Sequence, residues 1–144
     1  MKMDFMVPGI GKCGTTTLCH LLGEHPQIFV PANKEPEHFI ADDYLVYTSA
    51  YEAMFKDAQP TQLCGEGSQG YSLKASAEKV SIRLHQNNPL MKLIFCVRNP
   101  LKRIESSYME FHHSGAKYAI NAPFGIANAL SELPDLLEGS LYWS

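Results

Sequence analysis

Between residues 9 and 18 the chain reads Gly9-Ile10-Gly11-Lys12-Cys13-Gly14-Thr15-Thr16-Thr17-Leu18. The glycines let the backbone turn tightly and come close to a ligand, and Lys12 adds a full positive charge among them. A helix start at this point would offer unpaired amide donors and the positive end of a dipole, so the segment suits a phosphate. Threonines are weak helix formers but good first-turn residues, where a hydroxyl either caps an amide or binds an anion oxygen. For Thr15 alone both roles are open. Lys12, Cys13, Gly14, Thr15, Thr16 and Thr17 together read as an anion-binding loop.

The order of residues narrows the ligand. A nucleotide-hydrolysing P-loop, G-x-x-x-x-G-K-[ST], carries its lysine after the last glycine, followed by a hydroxyl that holds magnesium, whereas here Lys12 precedes Gly14. Gly9, Gly11 and Gly14 also fit the dinucleotide spacing G-x-G-x-x-G, yet the acid expected about 20 residues on would be Glu35 or Glu37, in a loop rather than at a strand end. A second basic turn runs Arg98-Asn99-Pro100-Leu101-Lys102-Arg103-Ile104-Glu105-Ser106. Arg98 at a strand end and Ser106 two helical turns later can converge on a second phosphate, with Arg98 as a charge-assisted donor; an ordinary ion pair is the alternative for Arg98. Lys102 and Arg103 are expected to face solvent.

These residues need elements to hold them. Asp4-Phe5-Met6-Val7, ended by Pro8 and Gly9, predicts a strand running into the first loop. Leu18, Leu21 and Leu22 then repeat at helical spacing from Thr15 to about Glu24, with Gly23 and Pro26 as stop signals. Gln27 to Val30 allows a brief strand, and Pro31 to Phe39 reads as loop. Ser49, three residues before Glu52, resembles a capping box opening a helix to about Lys56. Gln62-Leu63-Cys64-Gly65 predicts another strand, ending in the polar loop Glu66 to Gly70, and a helix follows from about Lys74 to Gln86, closed by Asn87-Asn88-Pro89. Met91 to Val97 is nearly continuously apolar, which predicts a central strand covered on both faces. Leu101, Ile104, Tyr108 and Phe111 mark one face of a helix ending near Ser114-Gly115, and a further helix is expected from Phe124 to Leu133.

Strands alternating with helices predict an α/β, P-loop-like fold of three layers, a mainly parallel central sheet flanked by helices, with ligands at the carboxyl ends of the strands. Those ends are the three polar loops. The stop at Leu141-Tyr142-Trp143, after only three strand-to-helix units, reads as the N-terminal part of a domain whose distal segment is missing.

Composition excludes several classes. The 144 residues carry 12 Lys and Arg against 15 Asp and Glu, a net charge of −3, with 45% hydrophobic residues, which describes a soluble globular chain. A sequence-independent nucleic-acid binder needs a basic surface to displace counterions. No apolar run reaches bilayer length, and Asp4 interrupts any signal-peptide pattern, so a cytoplasmic protein is expected. Cys13, Cys19, Cys64 and Cys96 are scattered without zinc-ligand spacing and read as reduced thiols, Cys19 and Cys96 in apolar surroundings. The six histidines are expected at the surface, with His38 marked out by its place beside two glutamates.

Taken in order, Lys12-Cys13-Gly14-Thr15-Thr16-Thr17-Leu18 with His25-Pro26, Lys34-Glu35-Pro36-Glu37-His38-Phe39, Gly65-Glu66-Gly67-Ser68 with Tyr71, and Arg98-Asn99-Pro100 with Arg103, Ser106 and Tyr108 resemble the sulfotransferases that use 3′-phosphoadenosine 5′-phosphosulfate (PAPS). The branch most resembled is that of the heparan-sulfate N- and O-sulfotransferases and their bacterial relatives, over residues 4 to about 112. The resemblance implies that residues 9–17 bind the 5′-phosphosulfate, with Lys12 at the bridging oxygen and Gly14, Thr15 and Thr16 at the 5′-phosphate. Arg98 and Ser106 would take the 3′-phosphate. Glu35 would be the general base toward a carbohydrate hydroxyl or amine, with Glu37 as the fallback if the register follows His38-Phe39, and no metal is implied. Without the resemblance, Glu35 reads as a surface partner of Lys34.

The match has departures: Gly67 stands where heparan O-sulfotransferases carry a lysine, Gln69 stands where proline is common, and the family's distal glycine-rich loop has no counterpart before Ser144. Competing readings are a magnesium-dependent P-loop kinase of small molecules and a non-catalytic nucleotide-binding fragment. Acceptor identity and oligomeric state are not legible.

Overall fold

A computed structural model of the chain describes residues 2–33 and 35–113. The helix expected over 124–133 and the aromatic cluster at 141–143 lie outside them. Residues up to Cys96 form one unit, and the chain from Val97 forms a second.

The layering follows from alternation along β1 (Phe5–Gly9), whose residues are all buried. Phe5 and Val7 share an apolar cluster with Leu18, Cys19 and Leu22 of α1 (Thr15–Gly23). Met6, with Met3 just before the strand, belongs to a different cluster with Phe39, Tyr51, Tyr71, Val80 and Leu84. Successive side chains of a strand point to opposite faces, so β1 is the middle of three layers. On the second face lie α2 (Thr48–Ala53), through Tyr51, and α3 (Ala77–Asn87), through Val80 and Leu84.

The sheet of the first unit has four parallel strands in the order β2 (Ile28–Phe29), β3 (Leu63–Glu66), β1, β4 (Lys92–Phe95). In register, Met6 lies opposite Glu66 on one side and Leu93 on the other. Asp4 pins the entrance to this ladder. Its amide donates to Cys64 O at 2.8 Å, its carboxylate accepts Cys64 N at 2.8 Å, and its carbonyl accepts Lys92 N at 2.9 Å. Asn87 and Asn88, legible only as a helix stop, also clamp Met3: Met3 N donates to Asn87 Oδ1 at 3.0 Å and Asn88 Nδ2 donates to Met3 O at 2.8 Å. The second unit opens with α4 (Pro100–His113).

The expected α/β architecture is therefore present, with two local differences. Among the described residues β4 is an edge strand: Ile94 and Cys96 pack on the α1 side, while Leu93 and Phe95 are about half exposed. The strand buried on both faces is β1, whose apolar run is shorter and ends in Pro8-Gly9. Ser49 is not a helix cap; α2 begins one residue earlier, behind Tyr47. A run of tight turns over 43–48 already leads the chain into the helix, so no capping side chain starts it.

The contact between β1 and β3 depends on Gly65. A Cβ there would collide with Phe5 O and stand 2.6 Å from two carbons of the Phe5 ring. Because a backbone atom cannot step aside cheaply, Gly65→Ala is expected to cost about 2 kcal/mol or more, in the range of overpacked cores. Urea unfolding would show this as a lowered midpoint at constant slope; an unchanged midpoint would contradict the packing described.

Candidate functional site

The first loop begins where β1 meets the end of β4. Gly9 O accepts Cys96 N at 3.0 Å, and Ile10 N donates to Cys96 O at 3.2 Å. Gly9 has φ +136, a value that residues with a Cβ rarely adopt. The loop then closes through Cys13 N to Ile10 O at 3.2 Å, with Lys12 in the left-handed region at φ 63 and Gly14 at φ 88. Left-handed residues within a turn bring successive amides toward one concavity, the geometry of an anion nest.

Gly14 is the N-cap of α1 and has no side chain to cap with. The capping role left open for the threonines thus falls to none of them at that position, and a helix start without a side-chain cap keeps its donors for another acceptor. Thr15 is buried, Thr16 and Thr17 are exposed, and Lys12 and Cys13 are half-buried. All four cysteines are free thiols.

In the second unit, Asn99 Oδ1 accepts the amides of Leu101 at 3.1 Å and Lys102 at 3.3 Å, and Asn99 O accepts Arg103 N at 2.9 Å. Asn99 is therefore the cap of α4, with Pro100 in the first position, where its missing N–H costs nothing. The pair Asn99-Pro100 is itself a helix-start signal in the sequence. Arg98 is exposed and Ser106 half-buried two turns along α4. Lys102 pairs with Glu105 at 2.9 Å in solvent, as expected, while Arg103 is half-buried rather than solvent-facing.

The segment 35–40 hangs from a buried carboxyl, Glu66, to which the sequence motif assigns no role of its own. Glu66, the last residue of β3, has no exposed surface. Its Oε2 accepts Ser68 Oγ at 2.8 Å and its Oε1 accepts the Tyr51 hydroxyl at 3.5 Å. Ser68 Oγ in turn accepts Glu37 N at 3.0 Å, and the Tyr71 hydroxyl accepts Phe39 N at 3.3 Å. Burial raises the Glu66 pKa to about 7; hydrogen bonds from Ser68, Tyr71 and Tyr51 oppose the rise and the charge of Glu35 adds to it. The Tyr51 and Tyr71 hydroxyls are pushed far up, chiefly by burial and then by Glu66.

Glu35 is half-buried and within electrostatic reach of Glu66. Glu37 is exposed, in the left-handed region at φ 51, and its carboxylate covers Gly70, where a Cβ would stand 2.5 Å from Glu37 Oε1. His38 departs from the surface expectation. It is buried, stacked on Tyr51 at 4.1 Å and 5°, and burial lowers its pKa. Gly67 has a packing reason: a side chain there would place its Cβ 2.5 Å from Cys19 Sγ, so α1 occupies the room a lysine would need.

Glu66 makes stability depend on pH with a defined sign. Its carboxyl titrates near 4.5 when unfolded and near 7 when folded. Between those values the folded chain holds more protons, so the contribution is full below about pH 4.5 and is lost as pH rises through about 7. The full span is on the order of 3 kcal/mol. Urea titrations at pH 5 and pH 8 should therefore show Glu66→Gln gaining on the parent by that order as pH rises, while the opposing effect of His38 is common to both proteins. Parallel pH dependence would contradict the burial described.

No protein-family model matches the chain. It is 30% identical over 106 residues to heparan sulfate glucosamine 3-O-sulfotransferase 5 of Mus musculus, a match covering 73% of this chain and 30% of that protein. In fold it resembles the crystal structure of a sulfotransferase from Alicyclobacillus acidocaldarius, with a TM-score of 0.76 and 22% identity, over 97% of this chain and 60% of the other. The chain thus spans about a third of the curated relative and three fifths of the solved one. The ordered motifs, the parallel sheet and these two likenesses agree, and the chain belongs to the sulfotransferase family.

Proposed function

We propose that this chain carries the donor-binding part of a sulfotransferase that moves the sulfuryl group of PAPS to a hydroxyl or amine of a carbohydrate acceptor. The observation that carries this reading is the strand order. β3 and β1 are adjacent and parallel, so the loops that follow them leave one edge of the sheet side by side, and β4 pairs with β1 on its other side. The loop after β1 holds Lys12 and the α1 amides, β3 ends at Glu66 beside the segment of Glu35, and the chain leaving β4 reaches Arg98 two residues after Cys96. A base and a sulfuryl group have to be met side by side along a transfer path.

In this proposal Lys12 and the amides of Gly14, Thr15 and Thr16 hold the 5′-phosphosulfate, with Cys13 and Thr17 completing the loop. Arg98 and Ser106 take the 3′-phosphate. Glu35 accepts the acceptor proton as the new bond to sulfur forms, and Glu37 is its fallback. As the bond from sulfur to the bridging oxygen breaks, charge moves onto the leaving phosphate, where a lysine and fixed amides bind the transition state better than the ground state. The 3-O-sulfotransferase likeness favours a sugar hydroxyl.

Thermal unfolding with added adenosine 3′,5′-bisphosphate tests donor binding, because a ligand selective for the folded state raises the transition temperature. Lys12→Ala should weaken binding by about 10- to 100-fold, the value of a charge-assisted contact. Arg98→Ala should weaken PAPS by about tenfold or more while leaving adenosine 5′-phosphosulfate, which lacks the 3′-phosphate, nearly unchanged. Equal weakening of both ligands would remove Arg98 from this role. ATP binding that requires magnesium would favour a kinase instead.

A further inference from the structure

We infer that Glu66 is a positioning residue for the segment that bears the catalytic base, acting through Ser68 on the amide of Glu37 and through Tyr71 on the amide of Phe39. This deepens the proposed function and rests on the assignment of Glu35 as base.

Glu66 cannot itself meet an acceptor, because none of its surface is exposed. An apolar residue at the end of β3 would avoid the desolvation that a buried carboxyl suffers. What the carboxyl adds is the sense of the hydrogen bonds. Ser68 donates its single proton to Glu66 Oε2 at 2.8 Å and so has only lone pairs left for Glu37 N at 3.0 Å. Tyr71 likewise bonds Glu66 and offers its oxygen to Phe39 N at 3.3 Å. Tyr51 from α2 completes the set of donors facing the carboxyl.

The segment so held begins at Glu35, two residues before the first anchored amide. The described residues between Pro31 and Glu37 belong to no helix or strand, and only a single 3-10 turn, His38–Ile40, follows them. The segment's two amide anchors lie 31 and 32 residues away in sequence and converge on one carboxyl. Catalytic groups lose about 100-fold when displaced by about 1 Å, so releasing these anchors should affect turnover more than binding.

The test uses the full 144-residue chain and four variants, Ser68→Ala, Tyr71→Phe, Glu66→Ala and Glu66→Gln. Amide hydrogen exchange reads the anchors without reference to activity. Ser68→Ala should speed exchange at Glu37, Tyr71→Phe at Phe39 and Glu66→Ala at both, each by about tenfold or more. Glu66→Gln, which keeps an acceptor oxygen for Ser68, should preserve protection at Glu37. In sulfuryl transfer from PAPS to a heparan-type oligosaccharide, Ser68→Ala should lower kcat by about 10- to 100-fold with KM for acceptor near the parent value. Binding of adenosine 3′,5′-bisphosphate should stay within about twofold, since its loop follows another strand. Glu66→Gln should recover most of the kcat lost in Glu66→Ala.

Unchanged exchange at Glu37 and Phe39 overturns the inference whether or not the chain transfers sulfate. A parallel fall of kcat, acceptor affinity and bisphosphate affinity also overturns it, because that is general loss of structure. Altered exchange in a parent chain that neither binds adenosine 3′,5′-bisphosphate nor transfers sulfate overturns the proposed function and leaves the anchoring in place.

Discussion

The candidate site depends on the ladder between β1 and β4 closing at its carboxyl end, where Gly9 and Ile10 exchange backbone hydrogen bonds with Cys96. Parallel strands in direct contact lie about 4.8 Å apart, so the chain segments leaving them start as neighbours. The glycine-rich loop can then turn back into α1 from beside the end of β4. Everything proposed about a doubly phosphorylated nucleotide needs that adjacency. The burial of β1 on both faces and the clamp on Met3 and Asp4 at its entrance hold the ladder in register.

On the other side of β1 the same edge carries a carboxyl in the core. Glu66 is tolerated there because hydroxyls from three side chains face it, and its raised pKa reports what burial still costs. The neighbouring glycine shows a second adjustment. Gly67 leaves space for the Cys19 thiol, which brings α1 close to the end of β3. A side chain at position 67 of this chain would meet the Cys19 thiol, so the glycine there is a matter of packing.

Much of this was legible in the residues. Short apolar runs and glycine-rich strand exits located the strands, and leucine spacing located α1, because those signals are local. The position of β4 was not legible: an apolar run marks a strand but says nothing about how many neighbours it has, and among the described residues Leu93 and Phe95 stay half exposed. The cap role of Asn99 was available in principle, since Asn before Pro is a helix-start pair. The Glu66 cluster could not be found from spacing. Its members come from positions 37, 39, 51, 66, 68 and 71, and hydrogen-bond partners between distant segments leave no periodic trace. The same holds for His38, whose stacking on Tyr51 is a product of the fold.

Amide NMR during a titration with adenosine 3′,5′-bisphosphate tests the central claim most directly, because it shows which turns of the backbone sense one ligand. Signals from Gly11 through Thr17 and from Arg98 are expected to shift together along a single saturation curve. Shifts confined to one turn, or two turns saturating at different concentrations, would contradict it.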